Sequence, residues 1–313
     1  MITSHRIITV CGSVLLLFAG CSSNGAETPR KSVSGSAAAL SSPAITTPPA
    51  STGQAQSDGT IYDRPGFVTA LKGGRLWVMR AGTPEAATLL AEGKTPARHV
   101  VRPGAGPGGL TIRAPESQDI IEYLGTRPGF RVFEKEERLW VYRDDSPDLE
   151  AAAAGRHPAR HVVRPGAGPA GITLRASDVE IINDYLATKP GFITGIKDGR
   201  IWVFAEDDPA GIEFRQSGRT PARHSVRPGA GPAGMTVRSP DENVMVAYII
   251  ARDGFVTGIK DGRIWVFPAH SEEAQAFLSN GRIPARHVVR PNAGPLGMTV
   301  RATDSHILDA YLR

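Results

Sequence analysis

The chain writes one unit four times, and this constrains its fold more than any other feature. The only four Trp residues, Trp77, Trp140, Trp202 and Trp265, lie 62 or 63 residues apart. His99, His161, His224 and His287 keep the same step, and so do Tyr123, Tyr185, Tyr248 and Tyr311. A length of 313 residues would otherwise suggest about two domains. The repetition instead predicts four tandem units over 61–126, 127–188, 189–250 and 251–313. The step is longer than that of ankyrin, TPR or WD40 repeats, and the unit matches none of them.

Each unit predicts the order ββαββα. The first half opens with two β-rich runs around a two-residue turn, as in Phe255–Ile259 and Ile264–Phe267 around Asp261-Gly262. Asp-Gly suits a type I′ hairpin turn because both central residues need positive φ. Unit 3 has Asp198-Gly199 and unit 1 Gly73-Gly74, whereas Glu136-Glu137 in unit 2 implies a different or strained turn. A short helix follows and stops at a Gly such as Gly281 or Gly155. The second half pairs Ala97–Arg102 with Gly109–Arg113. Pro103-Gly104 fits a type II turn, and unit 4 supplies Asn292 where the others have Gly. Glu116, Asp178, Asp241 and Asp304 stand at the start of the closing helix. An acid there has a structural role, complementing the helix dipole. The fold class expected is α+β. Each repeat should be a small, mainly antiparallel sheet with helices on one face. A unit of this size is near the lower limit for independent stability, so neighbours should pack together.

The N-terminal end has a different character. His5 and Arg6 precede an apolar run, Ile7–Phe18, too short to span a bilayer. It ends in Leu17-Phe18-Ala19-Gly20-Cys21. Small residues before a Cys, directly after an apolar run, resemble the lipobox of bacterial prolipoproteins. The resemblance covers residues 1–21 alone, and Phe18 departs from the commoner Leu. It implies cleavage of residues 1–20, diacylation of Cys21, usually acylation of its new amino terminus, and export to a membrane surface. With Ser22 rather than Asp next, it implies the outer membrane in a Gram-negative cell. In a Gram-positive cell it implies the outer face of the plasma membrane. Residues 22–60, rich in Ser, Ala, Thr and Pro, cannot bury a core and read as a disordered tether. Such a tether reaches about 30–40 Å.

Composition narrows the functional classes. The only Cys residues are Cys11 and Cys21. Loss of the first and lipidation of the second would leave no thiol for disulfides, metal sites or nucleophilic catalysis. A formal net charge of +5 favours polyanions only weakly and does not indicate nucleic-acid binding. No catalytic set or cofactor motif stands out, and no cofactor is expected. One asymmetric catalytic centre is not usually written four times, so a non-enzymatic role is expected.

The candidate binding residues are Arg. Strand alternation, with Ser225 replacing Val on one side, predicts that Arg98 and Arg102 point outward and His99 points into the unit. Arg113 ends the partner strand. The equivalents are Arg160, Arg164 and Arg175 in unit 2, Arg223, Arg227 and Arg238 in unit 3, and Arg286, Arg290 and Arg301 in unit 4. The expectation is one exposed anion-binding face per unit, suited to anionic polysaccharide or an envelope protein partner. Solvated Arg residues paired to local acids are the simpler account. The four recurrent His offer a second reading, a periplasmic metal or small-ligand sensor. A metal needs three or four ligands close together, and the copies stand a whole unit apart. A His packed on the hairpin Trp is the commoner arrangement.

Overall fold

The computed structural model describes residues 62–313 and two short N-terminal strands, β1 (Thr9–Cys11) and β2 (Ser13–Leu15). Cys21, the tether and the rest of the expected signal lie outside the described residues. Unit 1 consists of β3 (Phe67–Lys72), β4 (Arg75–Arg80), α1 (Pro84–Glu92), β5 (Val100–Arg102), β6 (Thr111–Ala114) and α2 (Ser117–Gly125). Unit 2 repeats this with β7 (Phe130–Lys135), β8 (Arg138–Arg143), α3 (Leu149–Ala153), β9 (Val162–Arg164), β10 (Thr173–Ala176) and α4 (Val179–Ala187). Unit 3 has β11 (Phe192–Lys197), β12 (Arg200–Ala205), α5 (Pro209–Ser217), β13 (Ser225–Arg227), β14 (Val237–Ser239) and α6 (Glu242–Ile250). Unit 4 has β15 (Phe255–Lys260), β16 (Arg263–Pro268), α7 (Glu272–Asn280), β17 (Val288–Arg290), β18 (Val300–Ala302) and α8 (Ser305–Leu312). The α+β class and the ββαββα repeat are as expected.

Each unit has its own mixed sheet, in the order β3-β4-β6-β5 for unit 1. The outer pairs are antiparallel hairpins, and the central pair, β4 with β6, is parallel. In unit 4, β1 adds to the free edge of β15 and carries β2 with it.

The helices take opposite faces of each sheet, not one face. In β4, Trp77 and Met79 pack with Ala86 and Leu89 of α1. Leu76 and Val78, pointing the other way, pack with Ile120, Tyr123 and Leu124 of α2. The second strand of every unit is apolar on both sides, so each side needs its own cover. Unit 4 shows the same split: Trp265 and Phe267 meet Phe277 of α7, while Ile264 and Val266 meet Leu308 and Tyr311 of α8.

The local signals explain the boundaries. Thr83 caps α1 by accepting from the Ala86 amide, Pro84 opens it, and Gly93 closes it at φ 64°. Asp178, Asp241 and Asp304 accept from amides two residues on and cap α4, α6 and α8. Gly104, Gly166, Gly229 and Asn292 all have positive φ, as a type II turn requires.

The units interlock. Ile121 of α2 enters the core of unit 2, Ala187 enters that of unit 3, and Ile250 that of unit 4. Each closing Tyr donates its hydroxyl to a backbone carbonyl about 61 residues earlier, across a seam in units 2, 3 and 4 and within unit 1. Tyr123 donates to the Tyr62 carbonyl at 2.8 Å, Tyr185 to Gly125 at 2.8 Å, Tyr248 to Ala187 at 2.8 Å and Tyr311 to Ile250 at 2.9 Å. The arrangement closes on itself. Helix α8 rests on the Pro107–Gly109 turn of unit 1, and the Gly108 amide donates to the Asp253 carbonyl at 3.2 Å. The four units therefore form a ring. Helices α2, α4, α6 and α8 make the contacts between units, and α1, α3, α5 and α7 cover the outer sheet faces.

Candidate functional sites

On the outer face of each sheet one Trp gathers two recurrent side chains. His99 meets Trp77 edge-on, with ring centroids 4.8 Å apart. The guanidinium of Arg113 lies over the same indole at 5.3 Å. The β4–β6 register makes this unavoidable, because Trp77 and Arg113 are direct partners. The equivalents are Trp140 with His161 at 4.9 Å and Arg175 at 5.5 Å, and Trp202 with His224 at 4.8 Å and Arg238 at 5.6 Å. In unit 4, Trp265 holds His287 at 5.0 Å and Arg301 at 5.4 Å. Each Trp is buried and each of these Arg residues is half-buried. The Nε atoms of Arg113, Arg175, Arg238 and Arg301 are buried and make no hydrogen bond. A guanidinium stacked on an indole gains cation–π attraction while its outer N–H donors stay available.

The three Arg residues of a unit do not share one face. Arg102 pairs with Ile112 across the ladder and takes the inner side, whereas Arg113 pairs with Val101 and takes the Trp side. The inner Arg residues are engaged at the closing helix. Arg102 donates to Ser117 at 3.0 Å, Arg164 donates to Asn183 at 3.2 Å, Arg227 pairs with Glu242, and Arg290 with Asp309. Arg98, Arg160, Arg223 and Arg286 are exposed just before the strand. Ser225 does not lie on a wetter side of its strand. It marks a half-buried position opposite Ser239, while Val101, Val163, Val226 and Val289 are about 40% exposed. Both sides of this edge strand tolerate partial exposure, so one polar residue did not identify the wet face.

The His residues pack on the Trp. Among the described residues, no group of three or more His, Cys, Asp or Glu side chains is placed to hold a metal. In unit 2, His157 adds a second ring stacked on Trp140 at 4.4 Å and hydrogen-bonds the Tyr142 hydroxyl at 2.8 Å.

A second group lies at the centre of the ring and was not read from the sequence. Arg64, Arg127, Lys189 and Arg252 each stand two residues before a Gly-Phe pair, one per unit. Arg64 donates to the Tyr123 and Thr126 carbonyls at 2.7 and 3.4 Å. Arg127 donates to Tyr185 and Thr188 at 3.0 and 2.9 Å. Lys189 donates to Tyr248 and Ala251 at 2.7 and 3.1 Å. Each of these three cations thus reaches the carbonyl just before the next cation. Asp253, beside Arg252, completes the circle by pairing with Arg64. The cations also lie over the closing Tyr rings, at 4.5, 4.5, 4.4 and 5.6 Å for Arg64, Arg127, Lys189 and Arg252. They complement the helix C-termini that converge here. A recurrent base before Gly-Phe was the available sequence signal.

The fold and these sites define a class, a closed ring of four α+β repeats with one Arg–Trp–His cluster per unit. No family model, curated protein or solved structure matches the chain.

Proposed function

We propose that this chain is a lipid-anchored envelope protein that binds anionic envelope polymers in a non-enzymatic, scaffolding role. The observation that supports the reading is the fourfold Arg113, Arg175, Arg238 and Arg301 arrangement. Each guanidinium is oriented by an indole, and none makes a hydrogen bond or ion pair among the described residues. Arg98, Arg160, Arg223 and Arg286 add exposed charge close by. Four equivalent weak sites on one rigid body gain avidity for a polymer whose charges repeat. The lipobox-like Leu17–Cys21 and the tether that follows would place that ring near the membrane surface, where such polymers are found.

The test is binding of the mature protein to purified teichoic acid, lipopolysaccharide and peptidoglycan over a salt series. Polyanion capture should weaken steeply as salt rises. Replacing Arg113, Arg175, Arg238 and Arg301 together by Gln should abolish it with the fold intact. Salt-independent binding, or capture unchanged in that variant, would sink the reading. Mass spectrometry of the mature N-terminus tests the anchor, with a diacylglyceryl-modified Cys21 expected.

A further inference from the structure

The axial cations differ in how their charge is used. Arg64 uses one terminal nitrogen, Nη1, for backbone carbonyls and the other, Nη2, for the Asp253 carboxylate. Arg127 and Arg252 also spend Nη1 on carbonyls, Tyr185, Leu186 and Thr188 for the first and Ile249 and Ala251 for the second. Their Nη2 atoms make no hydrogen bond among the described residues. Lys189 stands between them in the cycle, on the Ala251 carbonyl, without an acid of its own. The one carboxylate paired within the circle, Asp253, is held by Arg64, and Asp63 accepts a hydrogen bond from Thr69. Pro128 and Pro190 occupy the positions where Asp253 stands in unit 4. The ring therefore contains one worked example of an oxyanion on this guanidinium edge and two edges that lack one.

We propose that the centre of the ring binds one small oxyanion, a phosphate or carboxylate group, held by the open edges of Arg127 and Arg252 and by the Lys189 ammonium. It would do there what Asp253 does at Arg64. Burial pushes the Lys189 pKa well down, and Arg252 and then Arg127 push it further, so an anion among the three would favour its charged form. Arg252 is exposed, which gives the site an opening to solvent. This site is separate from the outer Arg–Trp clusters and is expected once per chain rather than four times.

The experiment is calorimetric titration of the mature protein with inorganic phosphate, against chloride at matched ionic strength. Saturable binding of one phosphate per chain is expected, with a phosphate-dependent rise in melting temperature. Arg252→Gln should weaken binding at least tenfold. Arg252 bonds only to carbonyls of its own segment, so the variant should fold, as circular dichroism will check. Arg252→Lys keeps the charge and loses the planar edge. It should bind several-fold more weakly and serves if the Gln variant fails to fold. Absence of saturable binding overturns the proposal. So does one equivalent that both Arg252 variants leave unchanged, or four equivalents that disappear when Arg113, Arg175, Arg238 and Arg301 become Gln.

Discussion

The Gly108 amide donates to the Asp253 carbonyl at 3.2 Å, joining the first unit to the last. Two departures from the repeat meet at this seam. Units 2, 3 and 4 have Ala170, Ala233 and Leu296 where unit 1 has Gly108, and only unit 4 replaces Pro by Asp before Gly-Phe. A Cβ on Gly108 would come within 2.8 Å of the Gly254 carbonyl oxygen. Gly108→Ala, although it restores the consensus of units 2 and 3, should therefore destabilise the ring. Overpacking and positive φ together suggest a cost of about 2–3 kcal/mol. Ala170→Gly, at the equivalent turn of unit 2, should change stability by less than about 1 kcal/mol. Denaturant unfolding of the two variants provides the comparison.

The buried Tyr hydroxyls join each unit to the residues before it. Tyr185→Phe leaves the Gly125 carbonyl without this donor and should cost about 1–2 kcal/mol. The T-shaped contact with Phe130, at 5.5 Å, survives the change. Tyr248→Phe should behave alike, because its hydroxyl meets Ala187 at the same 2.8 Å. The two hydroxyls have different acceptors, Gly125 and Ala187, so the costs should add in the double variant. A double variant no less stable than either single variant would show that the two seams are coupled, and single variants as stable as the parent would show that the hydroxyls contribute nothing.

Much of the unit was legible because it rests on local rules. Positive-φ turns, helix caps and alternating strands are written in adjacent residues, and fourfold repetition checked each of them. The opposite placement of the helices was also available in Leu76-Trp77-Val78-Met79, a strand apolar on both sides. What local pattern could not give was register between strands. Arg113 faces Trp77 because β6 runs parallel to β4, a pairing set by the fold of the whole unit. The axial circle lay further out of reach. Its cations, one per unit, are brought together only by closure of the ring.

Acidification should weaken the second unit through His157. Burial lowers its pKa from the ordinary value of 6.5, and Lys135 and Arg175 lower it further. The unfolded chain then takes up a proton at a higher pH than the folded chain. The neutral ring's contribution is present above pH 6.5 and is lost as pH falls through the folded value. His157→Gln should flatten this part of the pH dependence between about pH 7 and pH 5. The check is the denaturant midpoint of both proteins at each pH. Parallel loss in both would assign the effect to other groups.

The turn at Glu136 and Glu137 contains a removable cost. Both residues have positive φ, 57° and 59°, matching Gly73-Gly74, Asp198-Gly199 and Asp261-Gly262 in the other hairpins. Unit 2 therefore keeps the same turn and bears the strain. The Glu137 amide finds the Glu134 carboxylate at 2.7 Å, and Glu136 makes an exposed pair with Arg138. Neither compensates much: the ion pair is at the surface, and the amide contact does not depend on the Glu137 side chain. Left-handed backbone costs a non-glycine residue about 1–2 kcal/mol. Glu136→Asn with Glu137→Gly should stabilise the protein by about 1–2 kcal/mol. The gain should appear as a higher denaturant midpoint with an unchanged slope. The same pair of residues placed at Asp198-Gly199, where the turn already suits its sequence, should change little.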